Sequence, residues 1–293
     1  MHLSNNLCGT FEIVLSAAGF ATLAIIIKFA YAAGATLATI LTIRFTLAAL
    51  FFFVVLRSRG TSLRLPKQTM LRLLVLGGLG YGSMSALFAA SLQYLPASLA
   101  AMLLYTYPAI VSLLSFLTGD ERFNRLKGLA LVLCLLGLTF TLGISFTQIS
   151  TLGILCGLGA AVTYSLYIVL GNRLLKNIDT MVVTAYICAS AAVVYATAGL
   201  LTGSLQFSLP LAAWISILAI TIFPTIIGIL FFFAGLKKIG PINASIISTL
   251  EPVITVLLSI ALLDEKITLF QVTGGILILA GILLLQLYAK PSR

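Results

Sequence analysis

The chain has 293 residues, 61% of them hydrophobic and only 8% charged, with a mean hydropathy of +1.18. Soluble domains carry charge on roughly a quarter of their residues, so this composition excludes a fold wetted on all sides and indicates an integral membrane protein. The net charge of +10 raises nucleic acid as a partner, but the placement of the basic residues excludes it, as set out below.

Ten apolar stretches occur at 11–31, 36–56, 71–91, 97–118, 126–144, 151–170, 180–201, 211–234, 241–263 and 268–288. Each is long enough for a helix to cross a hydrocarbon core of about 30 Å. They do not alternate over about 10 residues, so a β-barrel is excluded. The short connections leave no room for a soluble domain. The first stretch lacks a basic n-region and a small-residue cleavage site and is read as retained.

In chain order, the first stretch carries Glu12 at its start and Lys28 late, and the second carries Arg44. The third contains the run Gly77-Gly78-Leu79-Gly80-Tyr81-Gly82. The fourth holds Leu104-Tyr105-Thr106-Tyr107-Pro108-Ala109-Ile110 and leads to Gly119-Asp120-Glu121-Arg122. Glycines 128, 137 and 143 punctuate the fifth as packing surfaces. Tyr164 and Tyr167 lie in the sixth, and Trp214 and Pro224 in the eighth. The ninth holds Ser248-Thr249-Leu250-Glu251-Pro252-Val253-Ile254 and leads to Leu263-Asp264-Glu265-Lys266; the tenth carries Gly274, Gly275 and Gly281.

The fourth and ninth stretches repeat one another at a constant offset of 144 positions. Pro108 falls on Pro252, Asp120-Glu121 on Asp264-Glu265, Gly80 on Pro224, and Gly137 on Gly281. The chain therefore divides into five-helix halves, 1–146 and 150–293. An odd number of crossings per half turns the second half over in the membrane. With the N-terminus in the cytoplasm, the cytoplasmic segments hold Arg57, Arg59, Arg64, Lys67 and Arg72; Arg122, Arg125 and Lys127; Arg173 and Lys176; Lys237 and Lys238; and Lys290 and Arg293. Lys266 alone lies opposite. This is the positive-inside bias, so both termini are expected in the cytoplasm and the excess charge sets topology. Matched helix breaks at Gly80, Pro108, Pro224 and Pro252 are tolerated at membrane depth only where they face protein or a watered cavity. Inverted repeats of interrupted helices are how transporters build a midplane site.

Several segments together resemble the EamA family of the drug/metabolite transporter superfamily. They are Ile27-Lys28, Ile43-Arg44-Phe45, Glu251-Pro252-Val253, Asp264-Glu265-Lys266 and Gly274-Gly275-Ile276-Leu277-Ile278-Leu279-Ala280-Gly281. The resemblance spans nearly the whole chain. It implies ten helices in two inverted repeats, a pathway lined by the first four helices of each half, and export or exchange of small metabolites, amino acids among them. Ala18-Gly19 stands where the family often has Trp-Gly, and Tyr164 lies near the equivalent place in the second half.

Charges inside a membrane cost a few kcal/mol each, so Lys28, Arg44 and Glu251 each need a partner or a task. Lys28 either snorkels to water along its stem or joins Arg44 in a cationic recess for a carboxylate or phosphate on the substrate pathway. Arg44 cannot shed its charge; it forms either a recess for a carboxylate or phosphate, or an ion pair with Glu251 or a freed carbonyl. Glu251 either carries a proton coupled to substrate movement or caps loosened backbone permanently; its counterpart at the offset is Tyr107. Glu12 suits the headgroup region and a helix N-terminus. Tyr81, Tyr105, Tyr107 and Tyr164 are candidate cavity residues that a polar ligand would satisfy, whereas Tyr31 and Trp214 suit interfacial anchoring. The single histidine is His2, the four cysteines form no paired motif, and no phosphate loop is present. No enzyme activity, cofactor or metal is expected. The partners expected are a small-molecule substrate, the bilayer and, if Glu251 titrates, protons. The sequence-level reading is an inner-membrane carrier working by alternating access; a lipid-linked sugar flippase, an uncoupled facilitator and a non-transporting scaffold are the alternatives.

Overall fold

Hydrocarbon offers no partner to a backbone N–H or C=O, so an apolar chain closes its hydrogen bonds within each segment. The structure is a computed structural model describing residues 2–117, 125–142, 150–174 and 178–287. Gly119, Asp120, Glu121, Arg122, Gly143, Lys176, Lys290 and Arg293 lie outside the described residues, as do the side chains of Lys127 and Arg173. All regular elements among the described residues are helical. They are α1 (His2–Ala32), α2 (Leu37–Ser58), α3 (Lys67–Val75), a π segment (Leu76–Tyr81), α4 (Gly82–Tyr94), α5 (Ala97–Leu104), α6 (Tyr107–Leu117) and α7 (Arg125–Leu142). Then follow α8 (Thr151–Leu174), α9 (Thr180–Leu201), α10 (Leu211–Ile220), a second π segment (Thr221–Ile227), α11 (Gly228–Ser248), α12 (Leu250–Leu263) and α13 (Leu269–Leu287).

Seven segments are long and apolar enough to cross a membrane, and the shorter apolar segments Gly128–Thr141, Leu250–Leu263 and Leu269–Leu285 fall on the fifth, ninth and tenth stretches. The protein is therefore a multi-pass membrane protein. One expected boundary differs. A connection between the eighth and ninth stretches was expected at 235–240, but α11 runs through it and ends only at Ser248. Gly240-Pro241 reads as a break, yet the fixed φ of proline is compatible with helix.

Helix packing repeats at the 144-residue offset. A Cβ on Gly9 would lie 2.6 Å from Ile239, and one on Gly153 would lie 2.7 Å from Leu95; Gly153 and Leu95 are the offset equivalents of Gly9 and Ile239. Such glycines let backbones approach closely. Between α7 and α13, a Cβ on Gly137 would lie 2.6 Å from the Gly274 carbonyl oxygen, and one on Gly281 2.7 Å from the Ala130 carbonyl oxygen. Each contact is the offset image of the other. Position rises along one helix as it falls along the other, so these two corresponding helices run antiparallel.

Polar contacts tie the two halves together at one face. Asp264 ends α12 in the left-handed region, φ 52°, which an aspartate tolerates better than most residues. Glu265 is thereby turned onto the start of α5, where its carboxylate accepts from Ala97 N (2.5 Å), Ser98 N (3.1 Å) and Ser98 Oγ (2.6 Å). These N–H groups have no partner within their own helix, and the carboxylate also complements the positive helix end. Nearby, Thr36 Oγ1 donates to Ser204 O (2.7 Å) and Gln206 N to Thr39 Oγ1 (2.8 Å).

Gly137→Val is expected to destabilise the protein by about 1–3 kcal/mol through overpacking, whereas Gly171→Ala, with nothing within 4 Å of its added Cβ, leaves the melting temperature unchanged or slightly raised. Thermal unfolding in detergent reads both. In the same assay Glu265→Ala is expected to cost about 1–3 kcal/mol. Ser98→Ala, which keeps two of the three hydrogen bonds, is expected to cost less.

Candidate functional site

The loosened helices converge at the centre of the molecule. In the first π segment the lack of side chains brings the backbone against α9: a Cβ on Gly77 would lie 2.8 Å from the Ile187 backbone. Ser190 Oγ donates to Leu74 O (2.6 Å) and the Tyr195 hydroxyl to Gly82 O. In the second π segment Pro224 has no N–H to offer the Ile220 carbonyl, the i→i+5 pattern passes that carbonyl to residue 225, and the Thr225 hydroxyl also donates to it (3.0 Å). Gly80 and Pro224 thus lie inside widened helical turns rather than at interruptions.

The actual interruptions precede the other two prolines. α5 stops at Leu104 and α6 starts at Tyr107, while α11 stops at Ser248 and α12 starts at Leu250. Leu104 and Ser248 correspond at the 144-residue offset. Pro108 and Pro252 then occupy first turns, where a missing N–H costs nothing.

Between these elements lies a cavity of two connected lobes. The smaller, about 110 Å³, is lined by Leu23, Arg44, Ser85, Phe88, Leu104 and Tyr105 among others. The larger, about 260 Å³, is lined by Tyr167, Cys188, Thr225, Ile229, Phe232 and Ser248 among others. Phe20, Tyr81, Tyr107, Tyr164 and Glu251 line both. The lobes correspond at the offset: Leu23 falls on Tyr167, Arg44 on Cys188, Ser85 on Ile229, Phe88 on Phe232 and Leu104 on Ser248. The shared wall pairs within itself, Phe20 with Tyr164 and Tyr107 with Glu251. Through Phe233 the larger lobe adjoins a recess lined by Arg59, Met181 and Lys237.

Arg44 is 3% exposed. Its Nε donates to Thr225 Oγ1 at 2.9 Å, and its guanidinium carbon sits 4.9 Å from the Phe45 ring centroid. The Tyr81 hydroxyl lies close to the guanidinium. Among the described residues no ion pair joins Arg44 to Glu251, although both line the smaller lobe. The Tyr105 hydroxyl lies close to the Glu251 carboxyl. The rings form a continuous set: Tyr105–Tyr107 centroids are 6.1 Å apart, Tyr107–Tyr164 4.7 Å, Tyr81–Tyr164 6.5 Å and Tyr164–Tyr167 6.0 Å. Such a lining offers apolar area, π faces and phenolic hydroxyls together.

Of the residues singled out in the sequence, Arg44, Tyr81, Tyr105, Tyr107, Tyr164 and Glu251 meet at this cavity. Lys28 does not line either lobe; the charge that acts on it is Glu265, which caps α5. Glu12 pairs with Lys238 at 2.5 Å, and the Tyr31 hydroxyl donates to Ala89 O (2.9 Å). Sequence reasoning missed Phe20, Phe88, Phe232 and Thr225, all of which the 144-residue offset could have flagged through Tyr164, each other and Tyr81. Tyr105 also lines a separate apolar recess of about 170 Å³, shared with Met102, Pro252, Leu257 and Ile276. Leu257 and Ile276 are 59% and 60% exposed, so this recess faces lipid.

The model of the EamA-like transporter family matches the chain twice, at residues 7–143 and 151–287. An uncharacterized transporter of Archaeoglobus fulgidus is 31% identical over 277 residues, covering 94% of this chain and 95% of that protein. The uncharacterized transporter YyaM of Bacillus subtilis is 28% identical over 250 residues, covering 82% of this chain and 81% of its own length. A crystal structure at 23% identity matches the fold with a TM-score of 0.68, over 98% of this chain and 97% of the matched one. A doubled match across both halves and full-length relatives of this kind identify the chain as a membrane transporter belonging to the EamA-like transporter family.

Proposed function

We propose that the protein is a secondary exporter or exchanger of small zwitterionic metabolites, amino acids foremost, and that it works by alternating access. In this reading the halves 1–146 and 150–293 are inverted five-helix repeats giving ten crossings, seated in the cell inner membrane with both termini cytoplasmic. One observation carries it. The two lobes of the cavity are images of one another at the 144-residue offset, yet they measure about 110 and 260 Å³. Equivalent half-sites of unequal size are what rocking of one repeat against the other produces. The smaller lobe lies towards the Glu265 cap, and the larger leads towards Arg59 and Lys237. The positive-inside bias puts the latter face on the cytoplasmic side in this reading, which supports a cytoplasm-facing state.

Substrate class follows from the lining. The lobes lie below the roughly 300–1,000 Å³ of drug-sized sites, which suits a small metabolite. Among the described lining residues of these lobes there is one guanidinium, Arg44, and one carboxyl, Glu251. A molecule carrying one carboxylate and one amine satisfies both, with Phe20, Tyr107 and Tyr164 against its side chain. A phosphate dianion would leave charge unbalanced. A lipid-linked sugar would need a lateral opening, whereas Tyr105 stands between the smaller lobe and the apolar recess.

Purified protein in liposomes is expected to exchange labelled amino acids in counterflow, and Arg44→Ala to lose that exchange by roughly 100-fold or more, the scale of a lost charge-assisted pair. Failure of every amino acid in a mixed panel to exchange would remove this reading. Glu251 is also the group through which a proton and a substrate amine compete for one site. Glu251→Gln is accordingly expected to retain measurable counterflow while losing acceleration by a pH gradient; equal acceleration in the variant would show that Glu251 carries no proton.

A further inference from the structure

The Arg44–Thr225 contact assigns a second residue to the site. Thr225 is 1% exposed and lies in the π segment created around Pro224. A hydroxyl has one proton to donate and two lone pairs with which to accept. The Thr225 proton is committed to the Ile220 carbonyl (3.0 Å), which Pro224 leaves without its usual backbone partner. The hydroxyl is therefore fixed in direction, and a lone pair is turned to receive Arg44 Nε–H at 2.9 Å. With Nε occupied and the guanidinium plane held over Phe45, the side-on edge that combines Nε with one terminal nitrogen is closed to a ligand.

We infer that Thr225 is a positioning residue that sets carboxylate specificity: by holding Nε it presents only the end-on pair, Nη1 and Nη2, to the cavity. Two parallel N–H donors match the two oxygens of a carboxylate. A carboxamide offers one acceptor and opposes the other amine with its own N–H groups. Tyr81, the offset counterpart of Thr225, lies close to the same guanidinium from the first π segment. The inference rests on the reading of Arg44 as the carboxylate site, and it adds a residue that acts through Arg44.

Two measurements test it with Thr225→Val, which keeps shape and removes the hydroxyl, and Thr225→Ser, which keeps the hydroxyl. Thr225→Ala replaces the valine variant if that one does not purify as a folded protein. In protein labelled with ¹⁵N-arginine, the Arg44 Nε–H resonance is assigned by its loss in Arg44→Lys. It is expected to exchange slowly with solvent in the wild type and Thr225→Ser, and at least about tenfold faster in Thr225→Val. In liposomes, L-phenylalanine and L-phenylalaninamide serve as probes. Thr225→Val is expected to raise KM for the acid about tenfold with maximal rate within about twofold, to leave the amide unchanged, and to be matched to wild type by Thr225→Ser. Unchanged Nε–H exchange in Thr225→Val overturns the inference. So does an equal loss for acid and amide, which would make Thr225 merely structural, or a serine variant as impaired as valine. If the wild type exchanges neither probe nor any other amino acid, the substrate reading fails, while the resonance still decides whether Thr225 holds Arg44.

Discussion

Inside a bilayer every backbone polar group left without a partner costs several kcal/mol, and this structure loosens its helices at four places regardless. Hydroxyl side chains add hydrogen bonds to carbonyls at and beside these places. Thr225 donates to Ile220 O, Thr106 to Leu103 O (2.7 Å), Ser165 to Tyr107 O (3.1 Å), Ser16 to Gly228 O (2.7 Å) and Ser190 to Leu74 O (2.6 Å). Ser16, Ser165 and Ser190 reach across to another helix. Loosened backbone is thus confined to the interior, where neighbours can supply hydroxyls, and no such segment could turn to lipid without stranding its carbonyls.

The same constraint fixes where charge can sit. A guanidinium or carboxyl at this depth needs donors and acceptors around it, and the π segments and helix breaks already collect them. Arg44 bonds Thr225 in the second π segment, with Tyr81 of the first close by, and Glu251 lies near Tyr105 at the α5–α6 break. Arg44, Ser85 and Tyr164 come from regular helix, as do Phe20, Phe88 and Phe232. Backbone irregularity thus supplies part of the polar lining, and regular helix the rest.

What was legible in the sequence divides along this line. Proline and glycine carry their backbone consequences with them, so the offset that pairs Pro108 with Pro252 and Gly80 with Pro224 located the irregular segments to within a few residues. It did not reveal their form, because glycine lacks only a side chain and proline only an N–H. Whether the result is a π turn or a break depends on which neighbour takes the freed carbonyl. Apolar lining was illegible for a simpler reason. In a chain that is 61% hydrophobic, Phe88 towards the cavity and Leu257 towards lipid obey the same hydropathy, and only the offset distinguishes a repeated inward position. Lys28 and Arg44 look alike in sequence, both single cations in apolar runs. Only the packing shows that one reaches Glu265 near a helix end while the other is enclosed beside a π segment.

The repeat governs motion and departures from it govern chemistry. Positions that hold helices together tend to match in both halves, as Gly137 does Gly281 and Phe88 does Phe232. Positions that carry charge do not: Arg44 stands opposite Cys188, and Glu251 opposite Tyr107. Each half keeps one ionisable group, so in the proposed cycle a zwitterion bridges the two moving bodies and neutralises both. An empty carrier would have to rock with a cation and an anion unpaired in a low-dielectric space, where breaking such a pair is costly by several kcal/mol. In that cycle reorientation with substrate aboard would be favoured over reorientation without it, making exchange faster than net flux. A proton on Glu251 would remove the anion's share of that penalty and open the empty return step, which is how one carboxyl would convert the proposed exchanger into an exporter.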